Sequence, residues 1–317
     1  MQDERIVAVE SIGMTVASIE RSLEFYSKVL SFEKISDVEV SGAAYEQLQG
    51  LPNVQMRVVQ MQLGSELIEL TQYLTPKGRP IPTDSRSNDL WFQHIAIAVS
   101  DMDKAYQHLQ KNQTQNTSTE PQQLPNWNKA AAGIQAFYFK DPDGHDLELI
   151  RYPPGKGDAR WQRQTDKLFL GIDHTAIVIS DSEASLKLYH NLLGMEPTGK
   201  SENYGTEQEH LSRVPNARLQ INRLSAPTGI GIELLEYLNP QDGRPIPSDI
   251  RSNDLIHRQI TLVVRDAEAI TSLSFANAQQ STFVSSGVVE MPEQTLGFKK
   301  GFLLKDPDGH ALRLVEK

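Results

Sequence analysis

The segment LTPKGRPIPTDSRSNDL at 74–90 returns as LNPQDGRPIPSDIRSNDL at 238–255, and nothing else in the 317-residue chain restricts its fold as strongly. Self-similarity at a fixed offset means that one structural unit occurs twice. FYFKDPDGHDLEL (137–149) maps onto FLLKDPDGHALRL (302–314) at an offset of 165, and SLEFY (22–26) onto SLKLY (185–189) at an offset of 163. The halves are therefore 1–155 and 167–317, with 156–166 as a linker inside PPGKGDARWQRQTDK. Two domains also suit a chain of this length, at ~100–200 residues per domain.

Each half divides again. HIAIAVSDMDKAYQHL from His94, HTAIVISDSEASLKLY from His174, SIGMTVASIERSLEFY from Ser11 and QITLVVRDAEAITSL from Gln259 share one plan: an apolar strand, a capping residue, a helix. The caps are Ser18, Asp101, Asp181 and Asp266, side chains that accept the free amide hydrogens of a first helical turn. Ile19, Leu23, Tyr26 and Leu30 share one helical face, so the first helix packs on a sheet. Asp-Pro-Asp-Gly at 141–144 and 306–309 is turn chemistry that joins antiparallel strands. The whole reads as an α+β chain of four βαβββ modules, at 5–75, 91–153, 169–239 and 255–317.

Composition narrows the chemistry. With 31 basic and 41 acidic residues the net charge is −10, which repels a phosphate backbone or an anionic membrane surface, so neither nucleic acid nor membrane is an expected partner. No apolar run approaches the ~20 residues of a membrane span. The chain has no cysteine, so a metal would be held by His, Asp or Glu and the same side chains would carry any catalysis. A cytoplasmic location is the expectation; export is the alternative, because Gln2 directly after Met1 also suits a chain that has lost a leader.

Strand parity assigns faces. Ile95, Ile97 and Val99 point at the helix and leave His94, Ala96 and Ala98 on the open face; His174, Ala176 and Val178 repeat this, and Ser11, Gly13 and Thr15 stand in the first module. In the last strands LIEL, LELI and IELL, the acids Glu69, Glu148 and Glu233 point the same way, while the fourth module has Arg313 there. A buried carboxylate requires a cation, a salt bridge or strong hydrogen bonds. His145 and His310, following tight turns, are expected at the solvent. The GRPIP and RSNDL segments, with Arg79, Arg86, Arg244 and Arg251, are expected to be connectors. Trp127 either lines a pocket mouth or packs ordinarily.

Four βαβββ modules, a His or its substitute opening the first strand and a Glu closing the last after DPDGH resemble the vicinal oxygen chelate superfamily, which includes glyoxalase I, extradiol dioxygenases and bleomycin-resistance proteins. The resemblance covers nearly the whole chain. It implies modules pairing into two cup-shaped mixed sheets with helices outside, and up to four ligands per cup from first and last strands. Pairing within halves gives Ser11, Glu69, His94 and Glu148 against His174, Glu233, Gln259 and Arg313. Pairing across halves gives His94, Glu148, His174 and Glu233 in one cup, leaving Ser11, Glu69, Gln259 and Arg313 in the other.

The second partition is chemically cleaner. Two imidazoles and two carboxylates suit one divalent metal ion, Ni, Co, Zn, Mn or Fe, and Arg313 would neutralise Glu69 in the other cup. Both cups can be built from one chain, so a monomer is expected. The resemblance then implies a glyoxalase-like, metal-dependent lyase or isomerase acting on a small oxygen-rich substrate, with Glu148 as the catalytic proton shuttle. The alternatives are a non-haem iron dioxygenase and a non-enzymatic binding protein of the bleomycin-resistance kind.

Overall fold

The computed structural model describes residues 5–277, 280–291 and 293–317. Ser18, Asp101, Asp181 and Asp266 each adopt extended backbone and accept amide hydrogens of the turn they precede, starting α1 (Ile19–Glu24), α3 (Met102–Lys111), α4 (Ser182–Leu186) and α6 (Ala267–Ala276). Two further helices not anticipated from sequence, α2 (Ala43–Gln49) and α5 (Thr206–Ser212), follow the second strands of modules one and three. Helices α1 and α4 widen into π turns over Phe25–Val29 and Lys187–Leu192.

The first module contributes β1 (Ile6–Thr15), β2 (Glu33–Ser41), β3 (Gln55–Leu63) and β4 (Glu66–Thr75). The second contributes β5 (Gln93–Val99), β6 (Gln115–Asn116), β7 (Gln122–Gln123), β8 (Gln135–Lys140) and β9 (Asp146–Arg151). The third has β10 (Phe169–Ile179), β11 (Glu196–Tyr204), β12 (Arg218–Ser225), β13 (Thr228–Gly229) and β14 (Gly231–Asn239). The fourth has β15 (Arg258–Val264), β16 (Thr282–Phe283), β17 (Val289–Glu290), β18 (Lys300–Lys305) and β19 (Ala311–Glu316). Modules one and three thus carry the full βαβββ plan, whereas the second strand of the other two shrinks to two-residue fragments.

The sheets cross the halves. One runs β11-β12-β14-β10-β5-β9-β8-β6 and unites modules two and three; the other runs β16-β18-β19-β15-β1-β4-β3-β2 and unites one and four. Each cup is closed at its centre by one antiparallel pair of first strands, β5 with β10 and β1 with β15, flanked by parallel pairings to the last strands. Ile95, Ile97 and Ile177 on the convex faces join one core with the helices and with the corresponding residues of the other sheet, so the cups stand back to back.

In the cup of modules one and four, Arg313 and Glu69 form a fully buried fork: Nη1 to Oε1 at 2.7 Å and Nη2 to Oε2 at 2.9 Å, with Nη2 also donating to the Thr261 hydroxyl at 3.0 Å. Val40, Leu48, Val58, Tyr73 and Phe298 pack in the same cup.

The repeated connectors do more than set a path. Arg79 reaches into the second half, where its amide and guanidinium grip Asp254 at 2.7 and 2.8 Å; Arg244 grips Asp89 of the first half at 3.0 and 2.7 Å. Asp89 and Asp254 are buried. A Cβ on Gly78 would fall 1.9 Å from the Asn253 carbonyl and one on Gly243 would fall 1.9 Å from that of Asn88, so the glycine of GRPIP lets the two connectors touch. His145 and His310 are buried, contrary to the expectation of solvent-facing turns. His145 Nε2 donates to the Leu255 carbonyl at 2.9 Å and His310 Nε2 to the Val178 carbonyl at 2.7 Å, because the DPDGH turns dock one cup onto the other. Tyr26 and Tyr189 complete those joints by donating to Asp141 and Asp306.

Two stability predictions follow from the cup of modules one and four. Breaking a buried pair on one side strands a charge at a cost of roughly 3–5 kcal/mol. Arg313→Ala should therefore lower denaturant stability sharply while Glu69→Ala restores part of the loss in the double variant; strictly additive losses would contradict the pair's coupling. His257 is pushed down to about 4 by burial, which outweighs the help of Gln259. Its neutral form is favoured in the fold, so the unfolded chain takes up the extra proton and stability should fall as pH drops from ~6.5 towards ~4, by up to roughly 3 kcal/mol. His257→Phe, which copies Phe92 of the other cup, should flatten that part of the acid limb in urea titrations at successive pH values.

Candidate metal centre

The β5–β10 pairing sets Ala176 opposite His94 and Ala96 opposite His174, so both imidazoles rise from adjacent strands with small neighbours beside them. Glu148 pairs across β5–β9 with Ala96 and Glu233 across β10–β14 with Ala176, each one strand further out. His94 Nε2 and His174 Nε2 are 3.4 Å apart, and Glu148 Oε2 lies 3.1 Å from the first and 3.4 Å from the second. Glu233 Oε2 is 3.5 Å from His174 Nε2. Ligand atoms that share one ion at bonds of ~2.1 Å stand about 3.0–3.4 Å from one another, depending on octahedral or tetrahedral arrangement. The donor atoms of His94, Glu148 and His174 all lie within 4.8 Å of one another and are buried, so this group could hold a metal. Glu233 stands slightly apart, with its other oxygen 3.4 Å from Arg223 Nη1.

Charge is tightly paired at this floor. Burial raises the Glu148 carboxyl, yet the His94 and His174 rings outweigh it and hold the group down at about 2. For His174 burial disfavours the cation, but Glu233, Asp173 and Glu148 together push the ring up to about 10. Asp173, raised by burial, is brought well below the ordinary carboxylate range by His174 and Arg223.

Asp173 is the residue that sequence parity missed. Next to His174 in a regular strand it would point to the opposite face, but register slips between Ile172 and His174, leaving Asp173 as a bulged residue. Its Oδ2 lies 2.9 Å from His174 Nδ1 and accepts from Tyr152 and Arg223 at 2.8 Å, while Oδ1 accepts from Trp161 at 2.8 Å. A carboxylate on the far nitrogen fixes ring orientation and tautomer at a ligand histidine. The end of the second module, through Tyr152, and the linker, through Trp161, thereby touch the site. The other set named from sequence, Ser11, Glu69, Gln259 and Arg313, belongs to strands of the opposite cup, where Gln259 approaches Glu69 at 3.5 Å.

Above the floor opens a cleft of about 390 Å³, walled by Leu124, Ile134, Leu219 and Ile221 and lined by His94, Glu148, His174 and Glu233. The loop carrying Leu124 straps its mouth: Asn128 donates to the Glu202 carbonyl and to Asn203 Oδ1 of β11. Trp127 is exposed and stacks on Tyr204 at 4.1 Å, so it joins strap to strand rather than packing into the core.

This fold and this site define a class. The family model described as Glyoxalase/Bleomycin resistance protein/Dioxygenase superfamily matches residues 8–149 and 171–314, and the chain belongs to that superfamily. A 2-epi-5-epi-valiolone epimerase from Actinomyces sp is 29% identical over 166 residues, spanning 50% of this chain and 86% of that protein. Glyoxalase I from Zea mays superposes with a TM-score of 0.62 at 16% identity, covering 98% of this chain and 92% of that one. A putative dioxygenase from Bacillus subtilis superposes with a TM-score of 0.58 at 13% identity, covering 99% and 86%.

Because Asp173 orients His174, Asp173→Asn should weaken divalent-cation binding by roughly ten- to a hundredfold with the fold intact. Isothermal titration with Ni or Zn tests this, and unchanged affinity would remove Asp173 from the site.

Proposed function

We propose that the cleft is the active site of a metal-dependent isomerase of small, oxygen-rich carbonyl compounds, one that moves a proton at the carbon beside the carbonyl. The observation that carries this is the convergence of His94, Glu148 and His174 on one point at the cleft floor, with the Glu233 carboxylate beside it. His94, Glu148 and His174 would hold a divalent ion, with Glu233 as the fourth ligand. Bound there, the ion would supply Lewis-acid stabilisation of negative charge on adjacent substrate oxygens.

The chain's own groups then divide the remaining work. Glu148 is the proton carrier: its carboxylate stands at the cleft floor, where proximity to the substrate's carbon acid supplies much of the effect. Glu233, partly exposed and lining the same cleft, is a second carboxylate within the site. Asp173 holds the His174 ring, and the strap at 124–134 with the aliphatic walls keeps water from the reacting carbon. A relative that is an epimerase supports proton transfer as the chemistry. Two imidazoles and one carboxylate also suit a non-haem iron dioxygenase; the additional carboxylate at Glu233 favours proton transfer.

About one divalent ion per chain is expected by elemental analysis after loading with Ni, Co, Zn, Mn or Fe, and His94→Ala or His174→Ala should each abolish it. With 2-epi-5-epi-valiolone or methylglyoxal hemithioacetal in deuterated water, label should enter beside the carbonyl, and Glu148→Gln should slow that entry by roughly 10²–10⁴-fold. Ring cleavage of catechol with oxygen uptake, without proton exchange, would establish the dioxygenase instead; metal uptake with neither reaction would leave a binding protein.

A further inference from the structure

The two cups are copies of one plan, so a polar residue in one against an apolar residue in the other marks a need of the site rather than of the fold. From β2 through α2 to β3 the filled cup is packed by Val40, Tyr45, Leu48, Met56 and Val58, with Val38 against them. At an offset of 163 their counterparts are Asn203, Gln208, Leu211, Leu219, Ile221 and Ser201, and all six line the cleft. Leu211, Leu219 and Ile221 remain apolar. Val38, Val40 and Tyr45 become Ser201, Asn203 and Gln208, so at three places on one arm of the cup apolar packing gives way to hydrogen-bonding side chains.

The fold does not use up these groups. Gln208 is only 2% exposed, and while its backbone carbonyl accepts from the Ser212 hydroxyl, its side-chain amide has no hydrogen bond among the described residues. A buried amide in that position is costly unless a partner reaches it, and the cleft is the side from which one can. The helix that carries it is fixed in place: Ser118 Oγ donates to the Leu211 carbonyl at 2.7 Å and the Thr119 amide to the His210 carbonyl at 3.1 Å, tying α5 to the second module. Asn203, also buried, accepts at Oδ1 from Asn128 Nδ2 at 2.6 Å. Asn128 is itself oriented by donating to the Glu202 carbonyl and accepting from the Ala131 amide, so the amino group of Asn203 is the end left without a partner among the described residues. The Ser201 hydroxyl has none among them either.

The cations near this arm are committed or turned away. Arg223 is held by Asp173 and Glu233, and Lys156 donates to the Lys129 and Ala130 carbonyls. Lys200 pairs across β11–β12 with Asn222, whose side chain meets Ser182 on the helix-covered face. What the arm offers is therefore uncharged: two amides and a hydroxyl, which between them donate and accept as the hydroxyls of a polyol do. A substrate that displaced water from them without returning the hydrogen bonds would bind weakly. We infer that the substrate is a polyhydroxylated carbonyl compound, whose hydroxyls away from the carbonyl are held by Gln208, Asn203 and Ser201 while its carbonyl end lies over His94, Glu148 and His174. This rests on the reading of the cleft as the active site and adds the class of substrate and the residues that select it.

Two probes share one ring and one hydroxy-ketone and differ in the hydroxyls beyond it: 2-hydroxycyclohexanone and 2,3,4,5,6-pentahydroxycyclohexanone. Calorimetry on the full chain loaded with Ni or Zn should show the pentahydroxy probe binding roughly tenfold or more tighter, because hydroxyls already solvated by water gain affinity only where the protein matches them. Gln208→Met keeps the length of the side chain and removes its donors and acceptor. It should erase most of that preference by weakening the pentahydroxy probe roughly tenfold, with metal content unchanged and thermal melting not lowered. Ser201→Ala, at a partly exposed position where the fold has little at stake, should remove a smaller share. Equal affinity for the two probes, or a preference that survives both substitutions, would overturn the inference. Titrations on metal-stripped protein, set beside metal uptake, separate this inference from the reading beneath it. A Gln208-dependent preference in a chain that takes up no metal upholds the polar arm and sinks the metal centre. Metal uptake with deuterium exchange into 2-hydroxycyclohexanone, but equal affinity for both probes, does the reverse.

Discussion

Everything at the candidate site depends on the antiparallel pairing of β5 with β10. That ladder places a strand of the first half beside a strand of the second with Ala176 opposite His94, and in doing so it brings together two histidines 80 residues apart in the chain. Slip β10 by one residue against β5 and His174 turns into the helix-covered core, away from His94. The register is held from outside as well as within. The Arg79–Asp254 and Arg244–Asp89 grips tie the connectors of the two halves, and His145 and His310 tie the turns of one cup to backbone of the other. Arg258, buried at the junction, donates to the Gln93 and Asp146 carbonyls, one residue before His94 and two before Glu148.

The back-to-back cups divide labour. One is packed with Val40, Leu48, Tyr73 and Phe298 around a neutralised Glu69–Arg313 fork, so it carries apolar burial and a satisfied ion pair. The other keeps a cleft of about 390 Å³ open over four ionisable groups. An open cleft forfeits dispersion contacts and keeps ionisable groups out of water, as functional sites commonly do at the expense of stability. Placing the filled cup in the same continuous core lets a single folding unit carry that cost.

Much of this was legible because it is local or periodic. Caps declare themselves by residue type, and Ser18, Asp101, Asp181 and Asp266 all act as read. Alternation put Glu69 and Arg313 on an inner face, and charge then demanded that they meet. What escaped depends on departures from period or on the contact between cups. The bulge that turns Asp173 toward His174 has no residue signature, since its counterpart Glu10 in β1 occupies an equivalent slip between Val9 and Ser11. The burial of His145 and His310 belongs to a joint between sheets that no strand pattern describes. The connectors were visible as repeats, but their reciprocal grip shows only when Gly78 is seen against Asn253 and Gly243 against Asn88.

The crossed sheets also alter how the molecule assembles. Neither half encloses a cup alone: each holds one wall of the candidate active cup and one wall of the filled one, with β1 and β5, or β10 and β15, lacking their central partners. As separate chains, two such halves would meet in a concentration-dependent encounter. Covalent joining turns that encounter into a unimolecular closure at an effective concentration on the order of millimolar. Completion of the site is thereby independent of how dilute the protein is, and the stoichiometry of its two unlike halves is fixed at synthesis.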